Sequence, residues 1–194
     1  MDNDNVPPPL LTVGIAYNLK KGIASDAEDM EAEYDSYGTI EAISHALASQ
    51  NIKVEPLEAD SNFVEKLKNN KTDIVFNIAE GIFGRGRESQ VPAILNFLGV
   101  PFSGSDETTL GISLDKALTK RYLSTYQIMT PKYQLVKSPD FKLDASLSFP
   151  LIVKPNYEGS GKGISDLAVV KNEAELSSVI QRNFRLYDEP MLIE

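Results

Sequence analysis

The stretch Phe149-Pro-Leu-Ile-Val-Lys-Pro-Asn-Tyr-Glu-Gly-Ser-Gly-Lys-Gly-Ile-Ser165 predicts a β-hairpin whose loop binds an anion. An apolar strand ends at Lys154, a glycine-rich loop carries Lys162, and a second strand is expected over 167–170. Glycines let backbone N–H groups approach an anion closely, because they have no Cβ. We therefore expect a polyphosphate to lie between Lys154 at the rigid base and Lys162 at a mobile tip.

This hairpin matches neither of the familiar phosphate-binding fingerprints. A P-loop needs Gly-x-x-x-x-Gly-Lys-[Ser/Thr] between a strand and a helix, whereas here Gly163 follows Lys162 and a strand is expected next. The dinucleotide pattern Gly-x-Gly-x-x-Gly also fails, because Gly161 and Gly163 are followed by Ile164-Ser-Asp. On composition alone, an ordinary hairpin turn with a surface lysine is an equal alternative.

Composition excludes several classes of protein. The 194 residues suffice for one large domain or two small ones. No cysteine is present, which excludes disulfides, zinc thiolate sites and thiol nucleophiles, and the single histidine, His45, argues against histidine-based metal sites and Ser-His-Asp catalysis. There is no signal peptide and no apolar run near 20 residues, so we expect a cytoplasmic protein without a membrane partner. Residues 1–10 are polar and proline-rich, and we expect them to be a disordered tail.

Charge is distributed unevenly along the chain. Residues 1–60 carry 12 acidic and 3 basic side chains, whereas residues 111–163 carry 8 basic and 4 acidic ones. An acidic protein with a single basic segment is unlike a nucleic-acid-binding protein, in which a basic face dominates. The distribution favours a small anionic ligand held by the second half.

The first half alternates strands and helices, which predicts an α/β domain with a Rossmann-like parallel sheet over residues 11–105. Ligands of such sheets bind beyond the carboxyl ends of the strands, which places the loops starting at Asn18 and Ala79 at the working edge. The expected elements are strands over 11–17, 52–56, 73–78 and 99–104, with helices over 39–49, 62–69 and 91–98.

A small polar stretch suggests a domain boundary near Asp106, followed by an α+β domain over residues 106–194. An apolar strand that ends at Glu194 with nothing to cover it leads us to expect a truncated chain. The expected elements here are helices over 113–123 and 172–184 and strands over 133–136, 151–154, 167–170 and 191–194. Asn172, with Glu175 three residues later, is the expected N-cap of the second helix.

Several separated motifs resemble those of D-alanine–D-alanine ligases, which belong to the ATP-grasp superfamily of carboxylate–amine ligases. The match runs from about residue 11 to the end of the chain, in the order found in that family. The motifs are Glu88 after a glycine-rich loop, Pro101-Phe-Ser-Gly-Ser105, Ser113-Leu-Asp-Lys116, Val153-Lys-Pro155, Glu158-Gly-Ser160 and Leu192-Ile-Glu194.

The resemblance implies an architecture and a reaction. The chain would hold a Rossmann-like N-terminal domain and the first ATP-grasp subdomain, with the C-terminal ATP-grasp subdomain missing. In this family ATP phosphorylates a carboxylate to an acylphosphate, an amine attacks, and ADP and phosphate leave. Mg²⁺ ions assist, and their ligands are expected in the missing part, so no metal ligand is predicted here and the chain alone should not turn over.

The resemblance also implies roles for individual residues. Lys116 and Lys154 would bind ATP phosphates, and Ser160 with the backbone of the loop would close over them. Glu194 would lie at the adenine hinge, and Glu88 would hold another charged group near the active centre. The implied catalytic residues are Glu88 and Ser160, and the implied nucleotide-binding residues are Lys116, Lys154, Gly159, Ser160, Gly161, Lys162, Gly163 and Glu194. The alternatives are a solvated helix lysine for Lys116 and a helix N-terminal electrostatic role for Glu88.

This sequence departs from the family pattern in three places. Glu80-Gly81 stands where strict D-alanine–D-alanine ligases have His-Gly, and an acidic side chain there would favour an amine-bearing substrate group over a carboxylate. The family's N-terminal glutamate, which orients the loop serine, is not recognisable, and Glu31 or Glu33 is a candidate for it. Gly161 replaces a second serine of many relatives.

Two further expectations concern partners and the competing function. The resemblance implies small amino-acid-like substrates and a homodimer formed through the N-terminal domain. The alternative function is a non-catalytic nucleotide-binding or interaction module that kept the fold. A Rossmann-type dehydrogenase is disfavoured, because its glycine fingerprint is absent.

Overall fold

The computed structural model describes residues 11–164 and 168–194, which form two compact units. The first unit contains the described residues up to Lys21 together with Tyr34–Leu110, and the second contains Gly22–Glu33 and Gly111–Glu194. The sequence places residues 22–33 in the first domain, whereas their contacts group them with the second unit. The expected tail, residues 1–10, lies outside the described residues.

The first unit is built on a three-stranded parallel sheet with the order β2-β1-β3. Its strands are β1 (Thr12–Tyr17), β2 (Lys53–Glu58) and β3 (Ile74–Asn77). The central strand is buried and apolar, and Val13 pairs with Val54 on one side and with Ile74 on the other. The Rossmann-like parallel sheet predicted from the alternation of strands and helices is confirmed.

Helices connect these strands and cover the apolar residues of the sheet. They are α1 (Tyr37–Ala48), α2 (Phe63–Asn69) and α3 (Gln90–Leu98), with a 3-10 turn at Arg87–Ser89. A further helix, α4 (Glu107–Leu114), begins in the first unit and ends in the second. The core of the first unit contains Leu57, Phe63, Val75, Val91 and Leu95. The sequence missed α4, and the strand it predicted over 99–104 is only a bridge between Val75 and Phe102.

The second unit contains a four-stranded antiparallel sheet with the order β4-β7-β5-β6. Its strands are β4 (Gln134–Val136), β5 (Leu151–Pro155), β6 (Val169–Val170) and β7 (Met191–Ile193), and its helices are α5 (Lys116–Thr125) and α6 (Glu173–Leu186). The hairpin predicted around residues 149–170 is present as β5 paired with β6, although Leu167, its expected first residue, lies outside the described residues.

The core of the second unit lies between its sheet and α6. Leu176, Val179 and Ile180 form the buried face of α6 and belong to the same apolar cluster as Val153 and Ile193. The side chain of Asn172 accepts a hydrogen bond from the Glu175 amide at 3.0 Å, which confirms the predicted cap. Across the two described ranges, every helix is too short or too polar to cross a bilayer.

Candidate functional site

Lys154 projects from β5 and binds the carboxylate of Glu194. Glu194 lies opposite Ile152, because the two residues exchange backbone hydrogen bonds of 2.7 and 3.0 Å. Side chains two residues apart on a strand share one face, so Glu194 and Lys154 are diagonal neighbours. Glu194 also pairs with Lys120 of α5, a residue that the sequence analysis did not select.

The two lysines determine the charge state of Glu194. Burial raises the pKa of this carboxyl, but hydrogen bonds from Lys120 and Lys154 outweigh it, so the net pKa lies below the ordinary value. Glu194 is therefore a carboxylate held between two ammonium groups. The predicted nucleotide-binding residues Lys154 and Glu194 are brought together.

Lys116 is the first residue of α5, and its ammonium group donates to the carbonyl oxygen of Glu158. Burial lowers the pKa of Lys116, and the nearby Lys154 adds to this, whereas Glu189 and Glu158 act in the opposite direction. The structure therefore places Lys116 as a half-buried cation beside the glycine-rich loop. This is not the environment of a solvated helix lysine.

The glycine-rich loop presents backbone N–H groups to carboxylates of the segment Gly22–Glu33. The Gly159 amide donates to Glu33, and the Gly163 amide donates to Asp29 Oδ2 at 2.6 Å. The hydroxyl group of Tyr187 donates to the other oxygen of Asp29 at 2.6 Å, and burial followed by this bond raises the pKa of Tyr187. Both ends of the loop thus bind anionic oxygen atoms.

The sequence left open whether Glu31 or Glu33 is the glutamate that orients the loop serine. Of these two residues, Glu33 contacts the glycine-rich loop. Glu31 instead accepts the amides of Gly22 and Ile23 at 2.7 and 3.1 Å. Glu33 reaches the backbone of Gly159, directly before Ser160.

Lys162 and Ser160 occupy different environments in this loop. The side chain of Lys162 is only 7% exposed, and its ammonium group lies 2.9 Å from Glu158 Oε1. The sequence placed Lys162 at the tip of the loop, but its side chain folds back because Glu158 offers a buried partner. Ser160 is exposed and adopts a left-handed conformation with φ +47°. A larger residue at position 163 would be strained for two reasons. Gly163 has a φ of +74°, and an added Cβ would lie 2.3 Å from Pro155 Cγ.

A buried pair that the sequence analysis did not select joins the end of β5 to the start of α5. The side-chain nitrogen of Asn156 donates to Asp115 Oδ1 at 2.7 Å, and both residues are almost completely buried. Asp115 also caps α5 by accepting the Leu118 amide at 3.0 Å. The sequence places Asp115 inside the helix expected over 113–123, whereas α5 begins one residue after it, and nothing local indicates its partner Asn156.

In the first unit, the buried side chain of Asn18 joins the ends of the three parallel strands. Its nitrogen donates to the Ala59 carbonyl beyond β2 at 3.0 Å, and its oxygen accepts the amides of Glu80 and Gly81 beyond β3 at 2.9 Å each. The prediction that the loops starting at Asn18 and Ala79 meet at the carboxyl edge of the sheet is confirmed.

The loop after β3 brings Glu80 and Glu88 together. Both are half-buried, and a carboxylate oxygen of one lies within 4.8 Å of a carboxylate oxygen of the other. Glu88 belongs to the 3-10 turn that leads into α3. Gly81 shapes the loop with a φ of +74°, and its carbonyl oxygen accepts the hydroxyl group of Tyr34 at 3.3 Å.

Sequence comparisons relate this chain to a group of ligases. A family model described as the D-ala D-ala ligase C-terminus matches residues 123–194. D-alanine–D-alanine ligases from Fervidobacterium nodosum and Pseudothermotoga lettingae are 30% and 33% identical to the chain, with 78% of the chain covered in each case. The matches cover 51% and 49% of those proteins, so the chain spans about half the length of these curated relatives.

Solved structures show the same fold. A D-alanine–D-alanine ligase from Bacillus anthracis complexed with ATP is 25% identical, with a TM-score of 0.73 over 95% of this chain and 58% of that one. A D-Ala:D-Ser ligase from Enterococcus faecalis has a TM-score of 0.67 at 18% identity, over 95% of this chain and 62% of its own, and shows likeness of fold alone.

Proposed function

Because this chain is a D-alanine–D-alanine ligase-like member of the ATP-grasp superfamily, spanning part of its relatives, we propose that it supplies the nucleotide-binding part of an ATP-dependent carboxylate–amine ligase. One observation carries the proposal. Lys116, Lys154 and the backbone N–H groups of the glycine-rich loop are gathered in one unit, beside the buried carboxylate of Glu194.

The donor set fits a polyphosphate. The amides of Gly159 and Gly163 bind carboxylate oxygens of Glu33 and Asp29, so the backbone of this loop is oriented to donate to anionic oxygen atoms. Backbone N–H groups and ammonium groups bind both kinds of anion through charge-assisted hydrogen bonds. When bound, ATP supplies the phosphoryl group that activates a carboxylate.

The residues of this chain would hold the nucleotide and offset its charge. Lys116 and Lys154 would neutralise phosphate oxygens, and the amides of Gly159–Gly163 would orient them. Ser160 is exposed and would contribute its hydroxyl group to the closed loop. Glu194, which Lys120 and Lys154 hold in place, would face the adenine ring. Mg²⁺ would arrive with the nucleotide, and we assign it no ligand in this chain.

For the substrates, we propose small amino acids with a free ammonium group. The paired carboxylates of Glu80 and Glu88 make the edge of the first unit attractive to a cation and repulsive to a substrate carboxylate. This pair would therefore bind an amine-bearing group. D-Alanine, with its ammonium group, belongs to this class.

Nucleotide binding by the 194-residue chain tests the proposal. We expect a non-hydrolysable ATP analogue with Mg²⁺ to give measurable heat in isothermal titration calorimetry. We expect Lys154→Met to weaken that binding about 30-fold, because a charge-assisted hydrogen bond is lost. The exposed Lys68, which pairs with Glu65 on α2, provides the control, and Lys68→Met should leave the affinity unchanged. Absence of heat at millimolar nucleotide would contradict the proposal.

We also propose a homodimer formed through the first unit. Phe97 of α3 is 88% exposed, and Leu98 beside it is partly exposed, so this helix carries apolar surface suited to burial. Light scattering at high protein concentration that gives only the monomer mass would count against the dimer.

A further inference from the structure

We propose that Asn156 is a positioning residue that sets the distance between the lysines of α5 and the lysine of β5. It touches neither nucleotide nor substrate, and it acts by holding the elements that carry Lys116 and Lys154. The inference rests on the proposed function, because its effect is measured as nucleotide affinity.

Asn156 is completely buried, and every hydrogen-bonding group it has is engaged. Its backbone amide donates to the Pro190 carbonyl at 3.0 Å, and its carbonyl accepts the Lys116 amide at 3.1 Å. Its side-chain oxygen accepts the Ala117 amide at 3.0 Å, and its side-chain nitrogen donates to Asp115 at 2.7 Å. One residue therefore connects β5, the N-terminus of α5 and the segment that enters β7.

The N-terminus of α5 needs these acceptors. The first amides of a helix have no intrahelical partner, and in α5 the amides of Lys116 and Ala117 are satisfied by Asn156. Because two adjacent amides are held, both the position and the rotation of the first turn are determined. The ammonium group of Lys116 then reaches the carbonyl of Glu158, two residues beyond Asn156.

By holding the first turn of α5, Asn156 also positions Lys120, the second lysine of this helix. Lys120 lies one turn after Lys116, and it shares the carboxylate of Glu194 with Lys154. Asn156 follows Lys154 by two residues. A shift of α5 relative to β5 would therefore move both lysines of the helix away from Lys154 at once.

The chemistry at position 156 requires an amide next to Asp115. The side chain must donate to a carboxylate and accept from a backbone amide at the same time, and the asparagine side chain does both. An aspartate at this position would place two buried carboxylates at the 2.7 Å separation now occupied by a hydrogen bond. Asp115 Oδ1 accepts both the Asn156 side chain and the Leu118 amide, so a substitution at position 156 removes one bond to this oxygen and leaves the helix cap in place.

Substitutions at position 156 give the test. We compare the 194-residue chain with N156D and N156A, measuring affinity for a non-hydrolysable ATP analogue with Mg²⁺ and thermal unfolding. We expect N156D to weaken affinity at least about 10-fold, because buried carboxylates repel each other. We expect N156A to weaken it about 3-fold, since the Ala117 amide and Asp115 each lose a hydrogen-bond partner without added charge.

A second buried asparagine separates positioning from general damage. Asn183 of α6 is also completely buried in the same unit. N183D should lower the unfolding temperature but leave the nucleotide affinity of the folded chain unchanged. Hydrogen exchange at the Lys116 and Ala117 amides, which Asn156 accepts, should accelerate in N156D and N156A, whereas N183D should not alter it.

The outcomes separate the two proposals. If the parent chain binds no nucleotide, the proposed function fails. If it binds and N156D binds equally well, the role of Asn156 is overturned. Should N156D not fold, N156A decides, and equal affinity of N156A and the parent chain overturns the inference.

Discussion

Two buried asparagines, Asn18 in the first unit and Asn156 in the second, make comparable sets of hydrogen bonds with opposite electrostatic results. Each follows a strand, and each uses its side-chain oxygen to accept backbone amides at the start of another segment. Asn18 holds the turn that begins with Glu80, whereas Asn156 holds the helix that begins with Lys116. A buried asparagine side chain can thus hold the end of a strand against the start of another segment, whatever charge the neighbouring side chains carry.

The neighbouring side chains set that charge. Glu80 and Glu88 place two carboxylates beyond β3, whereas Lys154 of β5 and Lys116 of α5 flank Asn156. The carboxylates of Glu80 and Glu88 suit an ammonium group, and the lysines around Asn156 suit phosphate. The two units therefore share a means of joining elements and differ in the charge of the side chains beside the join.

Gly81→Ala should give the greatest loss of stability among the variants of the first unit, because it displaces the turn that Asn18 holds. A Cβ at this position would lie 2.2 Å from the carbonyl oxygen of Arg87, at a φ of +74°. Left-handed strain together with the collision should lower the free energy of unfolding by about 4 kcal/mol and displace the turn from Asn18.

Gly84→Ala is the matched control in the same loop. Gly84 also has a positive φ, +89°, but a Cβ added there would meet no atom of the described residues within 4 Å. Its substitution should cost about 1 kcal/mol through strain alone. Urea unfolding curves measure both variants, and equal losses would show that the Arg87 carbonyl does not limit position 81.

Asn18→Ala should have a smaller effect on the free energy of unfolding, and it tests whether Asn18 and Asn156 have different roles. The variant leaves the amides of Glu80 and Gly81 and the carbonyl of Ala59 without their side-chain partner. The free energy of unfolding should fall by about 2–3 kcal/mol, as measured in urea. Nucleotide affinity of the folded chain should stay unchanged, in contrast to the Asn156 variants.

Asn70→Ala serves as the control for that measurement. The side chain of Asn70 donates a hydrogen bond to the Lys66 carbonyl at 3.0 Å, and its replacement should cost only about 0.5–1 kcal/mol. If Asn18→Ala weakened nucleotide binding as strongly as N156D does, the division of roles between the two asparagines would be wrong.

The smallest effect concerns the acid stability of the second unit. The pKa of Glu194 is lower in the folded chain than its ordinary value of 4.5, so its ionisation stabilises the fold above that pH. This contribution is lost as the pH falls through the lowered folded-state pKa. Lys120→Met removes one of the two ammonium groups, so the loss should begin at a higher pH than in the parent chain.

Urea midpoints measured between pH 7 and pH 3 test this expectation. The exposed Lys53, which pairs with Glu55 in the first unit, offers a comparison, because Lys53→Met should leave the acid profile almost unchanged. Identical profiles for Lys120→Met and the parent chain would show that Lys120 does not lower the pKa of Glu194.

Local sequence patterns were sufficient to predict most helices and strands. They also predicted that a parallel sheet in the first half of the chain is followed by an α+β subdomain in the second. The predicted fold, an α/β parallel sheet followed by an ATP-grasp α+β subdomain, is confirmed by the structure and by its likeness to the ligase structures. Runs of β-branched residues indicated β1 and β5, and the Asn172–Glu175 spacing indicated the start of α6. Helix α4 was missed because Glu107-Thr-Thr-Leu-Gly111 contains residues that are equally common in loops.

The residues that the sequence did not reveal owe their importance to distant partners. Asn156 and Asp115 are 41 positions apart, and the Asp29 carboxylate binds Gly163 and Tyr187, 134 and 158 positions away. A short polar residue in a loop has no periodicity, so nothing local distinguishes Asn18 from a solvated side chain. Lys120 lies on helix α5, where its sequence context is that of any exposed helix lysine. Only the fold shows which of them are buried and paired.

The last strand in the chain, β7, lies between β4 and β5 in the sheet of the second unit. During translation, β4 and β5 therefore emerge from the ribosome without the strand that joins them. The sheet of this unit can close only after residues 191–193 have left the exit tunnel, whereas every strand of the first sheet has been made by residue 77. A nascent chain should accordingly acquire the first sheet well before the second.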